Sequence, residues 1–173
     1  MYVSEFSGMS MDEIWAIKDT NRFLIAMQHH LVDKSTHNKT DMNMDKLSRS
    51  ERTFLIAILC QAEIDNGGFI QCFENFVGMF SDELVEAFQE IGAPQIAEIC
   101  HKALNVFGQE LPKDQQKRLE FCDTFFDGSS DDENNEVDCI LEECDRAFYQ
   151  AEEDLNLNTL YYTYILDNKT NFS

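Results

Sequence analysis

Basic residues are what this sequence most lacks. Lys and Arg number 13 against 33 Asp and Glu, a formal net charge of −20. A surface of that sign repels nucleic acid, which excludes direct nucleic-acid binding, and it attracts proteins that carry positive patches. Glycine and proline are also scarce, at seven and two. That is too little punctuation for a many-stranded β protein, so an all-α fold of about eight to ten helices in one compact domain, residues 1–173, is predicted. No CxxC pair occurs among Cys60, Cys72, Cys100, Cys122, Cys139 and Cys144. The expectation is therefore free thiols, several of them in a helical core, with no disulfide framework and no metal centre. No apolar stretch approaches the roughly 18 residues of a membrane span, and the start has no basic and apolar leader. A cytoplasmic location, away from any membrane, is expected.

Motifs of common enzymes are missing too. There is no G-x-S-x-G, no P-loop, no H-E-x-x-H and no glycine-rich dinucleotide turn. His29 and His30 are adjacent on a helix and point apart, His37 falls in a polar loop, and His101 follows Cys100 in a helix. The chain reads as a non-enzyme without a cofactor. The run Asp127–Asp138 superficially resembles a calcium loop. Its sixth position is Asp132 instead of glycine and its twelfth is Asp138 instead of glutamate, so it departs from that pattern.

What is present is patterned. Hydrophobic residues make up 43% and fourteen are Phe, so a packed core accompanies the charge. Ser10-Met11-Asp12-Glu13 is a capping box, followed by Ile14, Trp15 and Ile17 as a buried set. Phe23, Leu24, Met27 and Leu31 mark a second helix, and residues 33–47 read as a loop. A helix begins near Ser48 or Ser50, carries Phe54, Leu55, Ile58, Leu59 and Ala62 on one face, and stops at Asn66-Gly67-Gly68. Ser81 is expected to cap a helix running to Ile91, with Gly92 past its end. Pro94 starts the next, and Pro112 a further one containing Leu119, Cys122 and Phe126.

The charge is uneven: residues 1–52 carry a net −1, 53–118 a net −6 and 119–173 a net −13. Val137, Ile140, Leu141, Cys144, Phe148, Ala151 and Leu155 form one apolar helical stripe. Beside it, Asp138, Glu142, Asp145 and Glu152 share a band, and Glu136, Glu143 and Asp154 form a second. With Asp127, Asp131, Asp132, Glu133 and Glu153 these are candidate partner-binding acids. Asp82, Glu83, Glu86 and Glu90 supply a second ridge. From Asp138 to Glu152 the helix rises about 21 Å, over which duplex DNA carries about twelve charges, and the two bands together supply seven. One helix is too sparse to pass for a duplex, so several helices or two subunits have to contribute.

Residues 63–76 contain Glu63, Asn66-Gly67-Gly68-Phe69, Gln71, Phe73 and Asn75, and Glu90-Ile91-Gly92-Ala93 follows. This E-x-x-NGGF-x-Q-x-F-x-N signature with its later "IGA" element resembles a bacterial family, long classed as a domain of unknown function, that includes the acidic DNA mimic of Neisseria. The resemblance implies a helical protein whose acidic surface imitates DNA. The implied partner is a basic DNA-binding protein, a dimeric helix-turn-helix transcription factor kept off its operator, met by a monomer or a homodimer. An immunity-type or nucleoid-protein inhibitor would share that surface with a different partner; a calcium-binding protein or an uncharacterised enzyme are the remaining alternatives. The signature itself reads as structural, Gly67 and Gly68 making a tight turn while Asn66 and Asn75 satisfy backbone groups. A polar pocket of Glu63, Asn66, Gln71 and Asn75 for a small ligand is the other reading.

Overall fold

The computed structural model describes residues 5–38, 41–126 and 136–173. The chain forms two compact units, one of Met1–Leu55 with Asn156–Ser173 and one of Ile56–Leu155. Among the described residues the architecture is all-α: eight α-helices, with three short 3-10 turns and one small strand pair.

In the first unit, α1 (Met11–Ala16) starts from the predicted capping box. Ser10 Oγ accepts from the Glu13 N–H, and the Glu13 carboxylate accepts from the Ser10 N–H at 2.8 Å. Of the predicted buried set only Ile14 is fully enclosed, Trp15 and Ile17 being half-buried. The second helix, α2 (Thr20–Ser35), buries Phe23, Leu24, Met27 and Leu31 as expected. It extends past the predicted loop boundary to Ser35, Asp33 facing out and half-buried Lys34 turning to Glu51. The segment that follows is not a plain loop. β1 (Thr36–Asn38) pairs antiparallel with β2 (Asp41–Met42), with Thr36 opposite Met42.

A second capping box opens α3 (Arg49–Glu74): the Ser48 N–H donates to Glu51 Oε2 at 2.8 Å and the Glu51 N–H to Ser48 Oγ at 3.2 Å. Glu51 is fully buried, and the Lys34 ammonium 2.8 Å away together with the Ser173 N–H at 2.9 Å compensates its charge. The last helix, α8 (Leu157–Asp167), buries Tyr161 edge-on against Phe54.

The second unit begins within α3. By length and composition α3 is apolar enough to cross a membrane, a departure from the sequence expectation, but 56% of its most apolar stretch is buried inside the fold, as in a core helix. It is also broken where the sequence predicted a stop. Gly67 is extended (φ −162°), and Gly68 (φ 76°, ψ −173°) is in a region open to glycine alone. After a 3-10 turn at Phe76–Phe80 come α4 (Ser81–Ile91), α5 (Pro94–Asn105), α6 (Gln115–Phe126) and α7 (Glu136–Leu155).

Gly92 closes α4 in the left-handed conformation, its N–H bonding Gln89 O and that of Ala93 bonding Phe88 O, and Pro94 is the first turn of α5, both as predicted. Two starts are corrected. Ser81 is already helical and makes no cap hydrogen bond, Phe80 standing at the N-cap. The start of α6 is set by Asp114, whose Oδ1 accepts from the Lys117 N–H at 2.9 Å, and Pro112 lies ahead of it. Helix α5 packs against both α4 and α7. Phe69, Phe73, Phe88 and Phe148 are wholly buried, with Phe69 and Phe88 both edge-on to Phe148.

Candidate functional site

The two units differ sharply in charge. Residues 56–155 contain 24 acids and five bases, a net −19, while the other unit holds nine acids and eight bases, a net −1. The predicted stripe on α7 is borne out at Leu141, Cys144, Phe148 and Ala151, which are buried, and Val137, Ile140 and Leu155 flank it half-buried. Glu136, Glu142, Glu143, Glu153 and Asp154 are exposed and Asp138 half-exposed on the other side. On α4, Asp82 and Glu86 are exposed and Glu83 and Glu90 partly so, because Leu84, Ala87, Phe88 and Ile91 take the inner face. Asp127, Asp131, Asp132 and Glu133, and with them most of the calcium-loop reading, lie outside the described residues.

Exposed acids of this unit have bases beside them. Glu143 meets Lys102 of α5 at 2.9 Å, Asp82 meets Lys113, and Glu142 meets Arg146 at 3.6 Å. The hydrogen bond and charge of Lys102 hold the Glu143 carboxyl below the ordinary carboxylate range. Exposed pairs of this kind are screened by solvent and salt and contribute little, so a competing cation displaces them readily.

Two members of the predicted acidic band turn inward. Asp145 is half-buried, and its Oδ1 accepts the Phe69 N–H at 2.7 Å, capping the part of α3 that restarts after Gly68. Burial pushes this carboxyl up, and the Phe69 N–H pulls it partly back. Glu152 accepts from the Gln61 amide and hydrogen-bonds Asp65. Burial raises both carboxyls of that pair, so they hold a proton to higher pH than two free acids would. Between these contacts the Tyr149 hydroxyl donates to the Ile64 carbonyl at 2.8 Å. Positions 145, 149 and 152 share one face of α7, and Gln61, Ile64, Asp65 and Phe69 answer them from α3. The band beside the stripe is therefore partly a polar seam that fixes α7 on α3.

The signature surrounds the same break. An added Cβ at Gly68 would stand 2.5 Å from Asp145 Oδ2, so glycine there serves both the backbone turn and the approach of Asp145. Glu63 Oε2 accepts from Gln71 Nε2 at 2.8 Å and from Asn75 Nδ2 at 2.7 Å. The three side chains thus satisfy one another across the break, and Asn66 is exposed beside them. The Asn75 side chain bonds Glu63 where a backbone partner was expected. A structural signature also calls for Phe69, Phe73 and Phe76 in the core; Phe69 and Phe73 are there, and Phe76 is only half-buried at the start of the 3-10 turn.

Arg118 escaped the sequence reading. It is wholly buried, in the place expected for a neighbouring apolar residue, while Leu119 is half-buried. Its Nε donates to Phe73 O and Nη2 to Asn75 O, both at 2.7 Å, and Nη1 reaches Pro112 O at 2.9 Å and Lys113 O at 3.1 Å. The guanidinium caps the end of α3 and ties it to the segment before α6. Its spacing of four from buried Cys122 was the one available signal.

The cysteines are free, and all but Cys139 are buried. Burial pushes the thiols of Cys60, Cys100 and Cys144 up and that of Cys122 to about 11, away from the thiolate that a nucleophile or metal ligand needs. Among the described residues no group of three or more His, Cys, Asp or Glu is placed to hold a metal ion.

A family model described as DMP19-like protein matches residues 45–168. No curated protein and no solved structure matches the chain significantly.

Proposed function

The chain belongs to the DMP19-like protein family, whose model spans most of it, and from that premise we propose that it is a DNA mimic. Its second unit offers carboxylates to the DNA-binding face of a basic protein, a dimeric helix-turn-helix transcription factor, and keeps that factor off its operator. The supporting observation is the concentration of net charge −19 in residues 56–155, displayed on helices whose inner faces are packed.

The density argument favours a surface made by several helices. From Glu136 to Asp154, α7 rises about 27 Å, over which a duplex carries about sixteen charges. The outward acids of α7 are six: Glu136, Asp138, Glu142, Glu143, Glu153 and Asp154. The α4 ridge adds Asp82, Glu83, Glu86 and Glu90, and exposed Glu98 lies on α5 between the two helices. Helix α5 packs against both, which places α4 and α7 on either side of it.

A helix-turn-helix factor brings Arg and Lys to phosphates. Carboxylates accept the same donors, bidentately from Arg. Counterion release and long-range attraction make such binding fast and steeply salt-dependent. Carboxylates do not copy base edges, so selectivity comes from shape and from the other side chains among the acids. Free, mostly buried thiols suit a cytoplasmic place of action.

The test is capture of basic proteins from native cytoplasm, then a gel-shift competition against the operator of the factor recovered. The protein displaces operator DNA, and raising salt weakens its hold. A variant with Glu142, Glu143, Glu153 and Asp154 changed to Lys keeps its helical spectrum and loses the competition. Asp145 is left intact because its role at Phe69 would confuse folding with binding. A factor that holds protein and duplex together refutes the proposal.

A further inference from the structure

Tyr149 is a partly exposed aromatic ring set among the acids of the second unit. Three large apolar side chains among the described residues are left substantially exposed, Ile25, Tyr149 and Leu166, and only Tyr149, at 42%, belongs to the acidic unit. The ring is held firmly. Its hydroxyl is fixed on Ile64 O at 2.8 Å, and it stands edge-on to buried Phe148. Burial, and after it the nearby Asp145, Asp65 and Glu152, push the phenol pKa up. One turn further along α7 stands exposed Glu153. One turn back is Arg146, drawn to Glu142 at 3.6 Å.

A pre-positioned aromatic ring in a field of carboxylates attracts a cation over its face, and the planar guanidinium suits it better than an ammonium. Such rings also carry a large share of interface energy, since little conformational freedom is lost when they are covered. We propose that Tyr149, with Glu153 beside it, is the arginine-recognition point of the docking face: a partner guanidinium lies on the exposed ring and directs its N–H groups to Glu153. The occupant is an arginine-bearing basic protein surface, chosen on charge complementarity with a unit of net charge −19. The inference rests on the mimic reading and gives it a source of selectivity that carboxylates alone lack.

The experiment titrates the full chain with a nine-residue arginine peptide and with its lysine counterpart, by calorimetry at low and moderate salt. In Tyr149→Leu the affinity for the arginine peptide falls about two- to fivefold, while the lysine peptide and both salt slopes are unchanged. Tyr149→Phe keeps the ring and keeps the arginine preference. In the unaltered protein the Tyr149 ring protons shift with the arginine peptide and much less with the lysine one, a readout independent of how the leucine variant folds. Equal losses for both peptides, no loss, or indifferent ring protons overturn the inference and leave the mimic reading standing. If neither peptide binds the unaltered protein, both fail. If Tyr149→Leu instead changes self-association and leaves peptide binding alone, the occupant is a second copy and the inference is overturned.

Discussion

Replacing Gly68 by alanine tests how the acidic helix is held. Two costs arise at once. The backbone at Gly68 (φ 76°, ψ −173°) lies where a side chain brings about 1–3 kcal/mol of strain. The new Cβ would also stand 2.5 Å from Asp145 Oδ2 and displace a carboxylate that accepts the Phe69 N–H at 2.7 Å. Losing that charge-assisted bond costs about 1.5–3 kcal/mol. The expected destabilisation is about 3–5 kcal/mol, read by urea denaturation. Gly67→Ala is the contrast. Its φ of −162° is ordinary extended backbone, and its Cβ would meet mainly the flexible end of Gln71, so the cost is about 0.5–1.5 kcal/mol for the displaced bond to Glu63. A double-mutant cycle isolates the steric part. Asp145→Ala already lacks the Phe69 bond, so adding Gly68→Ala to it brings only backbone strain, and the pair falls short of additivity by about 1.5–3 kcal/mol. Strict additivity, or a Gly68→Ala loss below about 1 kcal/mol, refutes the account of α7 docking.

Other outcomes follow from the same contacts. Burial raises the carboxyls of Asp65, Glu152 and Asp145, so the folded chain binds more protons than the unfolded one above the ordinary carboxylate pKa of about 4. Their contribution is complete below that value and is lost as pH rises through the raised ones. Glu152→Gln is therefore more stable than the unaltered chain above this window and not below it, as denaturation at pH 4 and pH 7 would show; a gain of equal size at both pH values counts against the raised carboxyl pair. Arg118→Met leaves four carbonyls without their donor and costs more than about 3 kcal/mol. Arg118→Lys recovers little of this, since an ammonium lacks the planar fork; near-full stability in either variant would remove Arg118 from the support of α3. Gly78→Ala strains the same clamp, its Cβ falling 2.7 Å from Arg118 Nε and closer still to Phe73 O, and it melts earlier than the unaltered chain in a thermal scan.

Local signals carried far. Ser10 and Glu13 announce α1, Gly92 and Pro94 divide α4 from α5, and the stripe from Leu141 to Ala151 names the inner face of α7, because each depends on groups within a turn or two of one another. Ser81 misled for the same reason. It is a good cap by type, but the preceding 3-10 turn at Phe76–Phe80 carries the chain into the helix already wound. The signature was legible as a break and a core, and its side-chain clasp of Glu63, Gln71 and Asn75 was not, since a helical wheel ends where the helix bends.

The sequence alone determined that the protein is helical, strongly acidic and poorest in base toward its C-terminal third, since composition and periodicity are properties of the chain. Tertiary structure decided which acids face water. Glu142 does, while Asp145 and Glu152, members of the same predicted band, are drawn onto α3 by the Phe69 N–H and by hydrogen bonds to Gln61 and Asp65. It also decided that Arg118 goes inside, because four carbonyls converge there from segments up to 45 residues away, and no local pattern records such a meeting.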